Sequence, residues 1–243
     1  MRYFLSVLAL LFAFAAHAAT PEETVRGVLD KLAPGAAVSG IEQSPLPGFY
    51  QAVVGNQFIY ISTDGRFLLD GGVYDVVNKV DITEAARDHQ RAAGLAKIGA
   101  DKRIVFAPAN PKHAVTVFTD VDCPFCRRFH AQIDKYLAAG IAVEYVFLPL
   151  EIHPGADLKS EAIWCATDRK AALTAAMSGS DPGKAKCANP IKELTDLARQ
   201  MGVNSTPTML AADGSKVSPQ IAMTPDMLSA ELDRLASAAT KAP

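Results

Sequence analysis

Cys123-Pro124-Phe125-Cys126 constrains this chain more than any other feature, because two thiols three positions apart stand where an apolar strand gives way to a helix. The strand candidate covers 114–118, and the polar turn Thr119-Asp120-Val121-Asp122 follows it. Asp122 reads as an N-cap, with Cys123 at the first helical position and Pro124 in the first turn, where proline does least harm. Free N–H groups and the positive end of the dipole at a helix start favour a thiolate over a thiol. The thiolate is the species that attacks disulfides. The placement points to a redox dithiol, with Cys123 as the exposed nucleophile. Cys126, one turn in, is then the buried resolving thiol that releases a trapped mixed disulfide.

A CxxC pair also serves zinc sites, but structural zinc takes four ligands, usually as two close pairs. The remaining cysteines, Cys165 and Cys187, are far apart, and His113, His130 and His153 show no ligand spacing. No metal or other cofactor is expected. Asp120 and Asp122 oppose a thiolate, whereas Arg127 and Arg128 favour it; ordinary solvated charge is the plainer reading for both arginines. His130 returns to the face of Cys123 two turns on and reads as a surface or packing residue rather than a proton shuttle.

Met1-Arg2, an apolar run over 3–16 and Ala16-His17-Ala18 have the layout of a secretory signal cleaved after Ala18. The run falls short of the ~20 residues of a spanning helix, which disfavours an uncleaved anchor. Export to an oxidising compartment, the periplasm in a Gram-negative cell, follows. There an even cysteine count points to disulfides. A bond between Cys165 and Cys187 would close about 22 residues and stabilise by ~3 kcal/mol, a structural role; the rival is two free buried thiols. Charge is nearly balanced, 24 Lys+Arg against 26 Asp+Glu, which argues against nucleic acid or a charged membrane surface as partner.

After the signal, a helix over 21–32 precedes strand signals at 37–41, 49–54, 57–62 and 67–70. This block is small for an independent core and leaves sheet edges open, deficits that dimerisation would cover. The segment 83–98 is helix-like, with a thin apolar stripe that suits a weakly packed connector. Beyond Arg103 strands alternate with helices: the dithiol helix running to Ala139 with Gly140 as its stop, a strand at 141–148, helices at 158–166, 168–177 and 190–200, a strand at 208–211 and a last helix from Thr224. That is an α/β plan with the dithiol at a strand's carboxyl end, where α/β sites lie.

The run Val117-Phe118-Thr119-Asp120-Val121-Asp122-Cys123-Pro124-Phe125-Cys126, followed by His130, resembles the catalytic segment of bacterial periplasmic disulfide isomerases of the DsbC/DsbG family, in the thioredoxin superfamily. Further matching pieces are 57–65, Tyr74-Asp75-Val76, Ala162-Ile163-Trp164-Cys165-Ala166 and Thr206-Pro207, in order over nearly the whole mature chain. The resemblance implies an α/β fold, α+β overall. A signal peptide (1–18) precedes a small β-rich N-terminal dimerisation domain (19–81), a linker helix (82–100) and a thioredoxin-like catalytic domain with a helical insertion (101–243). It implies a V-shaped homodimer whose cleft holds misfolded, wrongly bonded exported proteins. It also implies that Thr206, Pro207, Pro124 and Phe125 meet the substrate. Base rates favour a trans Thr206–Pro207 bond; the resemblance implies cis.

The expected function is isomerisation or reduction of incorrect disulfides, with a membrane thiol reductase of DsbD type keeping the pair reduced. The chain departs from both branches. DsbC carries Gly-Tyr between its cysteines and DsbG carries Pro-Tyr, so Pro124-Phe125 is closer to DsbG. The Thr119-Asp120 lead-in, His130 and the Cys165/Cys187 pair are closer to DsbC. Thioredoxin's buried Asp, six residues before its first active-site Cys, is replaced here by Val117. A dithiol oxidase or a DsbG-like sulfenic-acid reductase, and a redox-independent holdase chaperone, are the alternatives.

Overall fold

The structure is a computed structural model and describes residues 19–239; the signal expected over 1–18 lies outside them. Two compact units form, one of 19–54 with Ile59–Asp70, the other of Gly55–Phe58 with 71–239. Among the described residues no helix is long and apolar enough to cross a membrane.

In the first unit, helix α1 (Pro21–Leu32) begins with a capping box: Thr20 Oγ1 accepts from Glu23 N, and the Glu23 carboxylate accepts from Thr20 N at 2.7 Å. Strands β1 (Val38–Gln43), β2 (Phe49–Val54), β3 (Gln57–Ser62) and β4 (Leu68–Asp70) form one sheet in that order. Val25 and Leu29 of α1 pack on Ala52, Ile59 and Ile61, a core of few residues. Phe67, Leu68 and Leu69, at and beside the edge strand β4, stay exposed.

The second unit opens with the hairpin β5 (Tyr74–Asp75) and β6 (Val80–Asp81), then α2 (Ile82–Leu95). The thin apolar stripe of α2 suggested weak packing, and the structure corrects this. Gly94 lies so close to Met201 that a Cβ would sit 2.0 Å from its Sδ. Arg91, buried, donates through Nε to the Gly214 carbonyl at 2.7 Å and pairs with Asp88 and Glu84. A missing side chain and an inward-turned arginine give the close fit that an apolar count overlooks.

A sheet ordered β10-β8-β9-β7 forms the centre, from β7 (Ile104–Phe106), β8 (His113–Thr119), β9 (Ile141–Phe147) and β10 (Thr208–Leu210). β8 and β9 run parallel, and the flanking strands are antiparallel to them. Successive side chains on a strand point to opposite faces, and the core divides accordingly. Val115, Val117, Val143, Tyr145 and Phe147 join one cluster, while Phe118 and Val146 join the other. The first face is covered by α3 (Pro124–His130), α4 (Ile133–Ala138), α5 (Ala156–Trp164), α6 (Arg169–Met177) and α9 (Pro225–Ala239), the second by the end of α2 and by α7 (Ile191–Gln200). The short α8 (Pro219–Ala222) precedes α9. Beyond β10 the chain folds back on it: Ala211 N donates to Ser215 O at 2.9 Å and Val217 N to Met209 O at 3.0 Å.

The helix expected to run from the dithiol to Ala139 is broken into α3 and α4, because Gln132 leaves helical geometry at φ −110°, ψ 12°.

Candidate active site

The N-cap of α3 is Cys123 itself, at φ −74° and ψ 118°, with Pro124 at the first helical position. Asp122 was expected there. Proline disfavours helical backbone in the residue before it, so Cys123 is held extended. Its sulfur therefore stands ahead of the unpaired N–H groups of the first turn. The N–H groups of Cys126 and Phe125 both favour the thiolate.

Cys123 is nearly buried, at 5% exposure, which corrects the expectation of an exposed nucleophile. The loop at 204–207 lies over it, and in its thiol form Cys123 Sγ donates to the Thr206 carbonyl at 3.3 Å. The Thr206–Pro207 bond is cis. Cys126 is buried more deeply, at 1%. Pro124 is exposed, as is Phe125, so the apolar pair between the cysteines faces solvent.

The Cys123 thiol is pulled down to about 5, chiefly because the Cys126 thiol donates to its anion, helped by the two backbone N–H groups and the Thr206 hydroxyl and opposed by burial. Cys126 is pushed strongly upward, first by its hydrogen bond to Cys123 and then by burial. One sulfur is thus an anion near neutral pH and the other a thiol that supports it.

The turn before Cys123 is fixed by Asp120 and Asp122, which the sequence marked only as opposing the thiolate, and by Arg127, which it left as solvated. Asp120 is fully buried. Its Oδ1 accepts from Asp122 N at 2.8 Å, and its Oδ2 accepts from Leu150 N at 2.7 Å and lies 2.9 Å from His153 Nδ1. Asp122 holds Lys159 Nζ at 2.8 Å and Arg127 at 3.0 Å, and Arg127 Nε also donates to Val121 O at 2.7 Å. Arg127 is therefore a brace of the turn; Arg128 is exposed.

His130 packs inside rather than at the surface. Its Nδ1 lies 2.9 Å from the Tyr145 hydroxyl and its Nε2 3.0 Å from Thr174 Oγ1. Phe106 stands edge-on to His130 and Tyr145. Burial lowers the His130 pKa and raises that of Tyr145, which keeps the pair neutral.

A disulfide joins Cys165, at the end of α5, to Cys187, ahead of α7, with Cα atoms 5.7 Å apart. Among the described residues no three His, Cys, Asp or Glu side chains are grouped to hold a metal ion.

Sequence reasoning brought together Cys123, Cys126, Pro124, Phe125, Thr206 and Pro207, all on the helix start and the loop above it. It missed His153, Lys159 and Tyr145, which come from other elements. An aspartate directly after the apolar strand, two residues before a second one, was the available sign for Asp120.

Residues 100–236 match the thioredoxin-like domain family, and residues 15–84 match the disulfide bond isomerase protein N-terminal domain. The thiol:disulfide interchange protein DsbC of Dickeya dadantii is 32% identical over 209 residues, covering 86% of each chain. Its namesake in Escherichia coli K12 is 32% identical over 211 residues, with the same coverage. Among solved structures, a disulfide interchange protein from Neisseria gonorrhoeae is 34% identical with a TM-score of 0.48, over 55% of this chain and 96% of its own. By likeness to these relatives over 86% of its length, with a dithiol at a helix start, the chain belongs to the DsbC family of thiol:disulfide interchange proteins.

Proposed function

We propose that this protein isomerises or reduces wrong disulfides in exported proteins, with Cys123 as nucleophile and Cys126 as resolving thiol. The observation that carries the reading is Cys123 at the N-cap of α3 with Cys126 buried one turn in, an arrangement that holds Cys123 near pKa 5 and pushes Cys126 far above its ordinary range. The Cys123 thiolate attacks one sulfur of a substrate disulfide; a Cys123–substrate bond forms and the other substrate sulfur leaves as a thiolate. That thiolate then attacks elsewhere in the substrate until Cys123 is displaced, which completes an isomerisation. Alternatively Cys126 loses its proton and attacks Cys123 Sγ, which frees the substrate reduced and leaves a Cys123–Cys126 disulfide.

The substrate chain pairs with the Thr206 backbone in the manner of an added strand, which tolerates many sequences. Pro207, Pro124 and the 61% exposed Phe125 offer it apolar contact. Cys165 and Cys187 have a structural role. The domains divide at 19–81, 82–100 and 101–243, and the first is the dimerising one. The exposed Phe67, Leu68 and Leu69 at the β4 edge support a second copy as its partner. The chain works in the periplasm after cleavage at Ala18, and a membrane thiol reductase of DsbD type returns electrons to the pair.

The test is recovery of activity by scrambled ribonuclease mixed with the reduced protein. Recovery well above a glutathione control, lost in Cys123→Ser, is the expected outcome; equal recovery with wild type, variant and control excludes isomerase activity.

A further inference from the structure

Thr119 ends β8 fully buried, and its Oγ1 has no hydrogen-bond partner in the resting reduced protein. Its backbone is satisfied, since Leu148 N donates to the Thr119 carbonyl at 2.8 Å. Valine would fill the same space on a buried strand without an orphaned hydroxyl, and such orphans are rare in native interiors because each lowers stability. Strand alternation puts Thr119 on the sheet face of Val117, which packs in the same cluster as Cys126, and there its hydroxyl favours ionisation of Cys126, as does the Asp120 backbone N–H.

We propose that the Thr119 hydroxyl is held in reserve as the donor that receives the negative charge on Cys126 Sγ when this sulfur ionises to resolve a mixed disulfide. In the resting reduced pair there is no charge for it to meet, because Cys126 is a thiol whose hydrogen is turned toward Cys123. Once Cys123 Sγ is bonded to a substrate sulfur, its negative charge is gone and the Cys126 hydrogen loses its acceptor. Cys126 then gives its proton to water, and its sulfur attacks Cys123 Sγ. The Cys123–substrate bond breaks, and the electron pair leaves on the substrate sulfur, which takes a proton back from water. A buried donor on that face, free to turn to the sulfur, stabilises this anion with little reorganisation at the moment of attack.

The other ionisable groups about Cys126 are committed elsewhere. Cys123 on α3 is consumed in the mixed disulfide. The Tyr145 hydroxyl on β9 lies within electrostatic reach of Cys126, but burial keeps it protonated and it is hydrogen-bonded to His130. The Asp120 carboxylate is engaged by Asp122 N, Leu150 N and His153. Val117, on the same sheet face as Tyr145, is apolar. Among the described residues the Thr206 hydroxyl is also unpartnered, but it acts on Cys123, which leaves the Thr119 hydroxyl as the uncommitted side-chain donor acting on Cys126.

This proposal rests on Cys123 and Cys126 acting as a dithiol, and the experiment separates the two. The reduced mature protein is mixed with one equivalent of dithiobis(nitrobenzoate), whose released thiolate is coloured. The first release reports attack by Cys123, the second resolution by Cys126. Thr119→Val is expected to leave the first phase at its wild-type rate and to slow the second roughly tenfold at neutral pH, with its pH midpoint raised by about one unit. Thr119→Ser restores both, and Thr119→Val melts at or above the wild-type temperature. An unchanged second phase in Thr119→Val, equal slowing of both phases, or a markedly lower melting temperature overturns the proposal. A wild type that shows no second release refutes the dithiol reading itself.

Discussion

His153 Nδ1 lies 2.9 Å from Oδ2 of Asp120, a carboxylate with no exposed surface. With Leu150 N and Asp122 N also bound, this one side chain ties the turn ahead of Cys123 to the segment after β9. Asp120→Ala leaves three donors without their acceptor inside the protein. The expected loss is about 3 kcal/mol in urea unfolding, and Asp120→Asn, which keeps one acceptor oxygen, loses less.

Alkylation of Cys123 by iodoacetamide should rise with pH to a half-maximum at about 5, against ~8.5 for an unperturbed cysteine. Because the Cys126 thiol is the largest cause of that lowering, Cys126→Ala moves the midpoint upward. A wild-type midpoint near that of free cysteine contradicts the site as described.

Burial lowers the His130 pKa in the folded protein, so as pH falls the unfolded chain takes up this proton first. Stability then rises with pH across the interval between the two values. The contribution is complete above the ordinary imidazole value of about 6.5 and is lost as pH falls below it toward the folded value. Melting of the Cys123–Cys126 oxidised protein, in which Cys123 does not titrate, should therefore decline from pH 7 to pH 5. His130→Gln is expected to melt lower at pH 8 but to decline less over that interval. An identical slope in both proteins counts against the assignment.

Gly214 has φ +86°, and a Cβ there would stand 2.0 Å from Asp88 O and 2.6 Å from Ala92 N, backbone atoms of α2. Gly183 also has positive φ, +74°, but open space around it. Gly214→Ala should cost about 3 kcal/mol or more in urea unfolding, whereas Gly183→Ala should cost only about 1 kcal/mol of backbone strain. Equal losses would mean that the contact with α2 is not held in solution.

Replacing both Cys165 and Cys187 by alanine reopens a loop of 22 residues, with an expected loss of ~3 kcal/mol. Activity per folded molecule should persist, since neither sulfur meets the dithiol. Loss of turnover at full folding would assign the bond a further role.

What could be read from the chain followed the reach of local rules. Strands β2 and β3 and helix α1 fall where alternation, turn residues and caps placed them, because each is decided by neighbours a few residues away. The cap at Cys123 was legible too, had the effect of Pro124 on the preceding residue been weighed above the capping preference of Asp122. The close seat of Gly94 on Met201 depends on a partner distant in sequence, which periodicity does not register; the break at Gln132 left no mark in the apolar pattern. The same holds for the site. Cys123 and Cys126 announce themselves by spacing, whereas Asp120, His153 and Lys159 are ordinary charges until the fold sets them against one another. Burial of Cys123 likewise depends on a loop more than eighty residues onward, at Thr206.

The fold-back at 215–217 engages Met209 and Ala211 on the outer side of β10, so a guest strand aligned at Thr206 meets an edge that is already closed a few residues further on. On the proposed mode of substrate pairing, the grip would be confined to one or two main-chain bonds. So brief a handhold would let unrelated clients come and go quickly, and the same fold-back closes the β10 margin of the sheet to edge-on pairing with other copies.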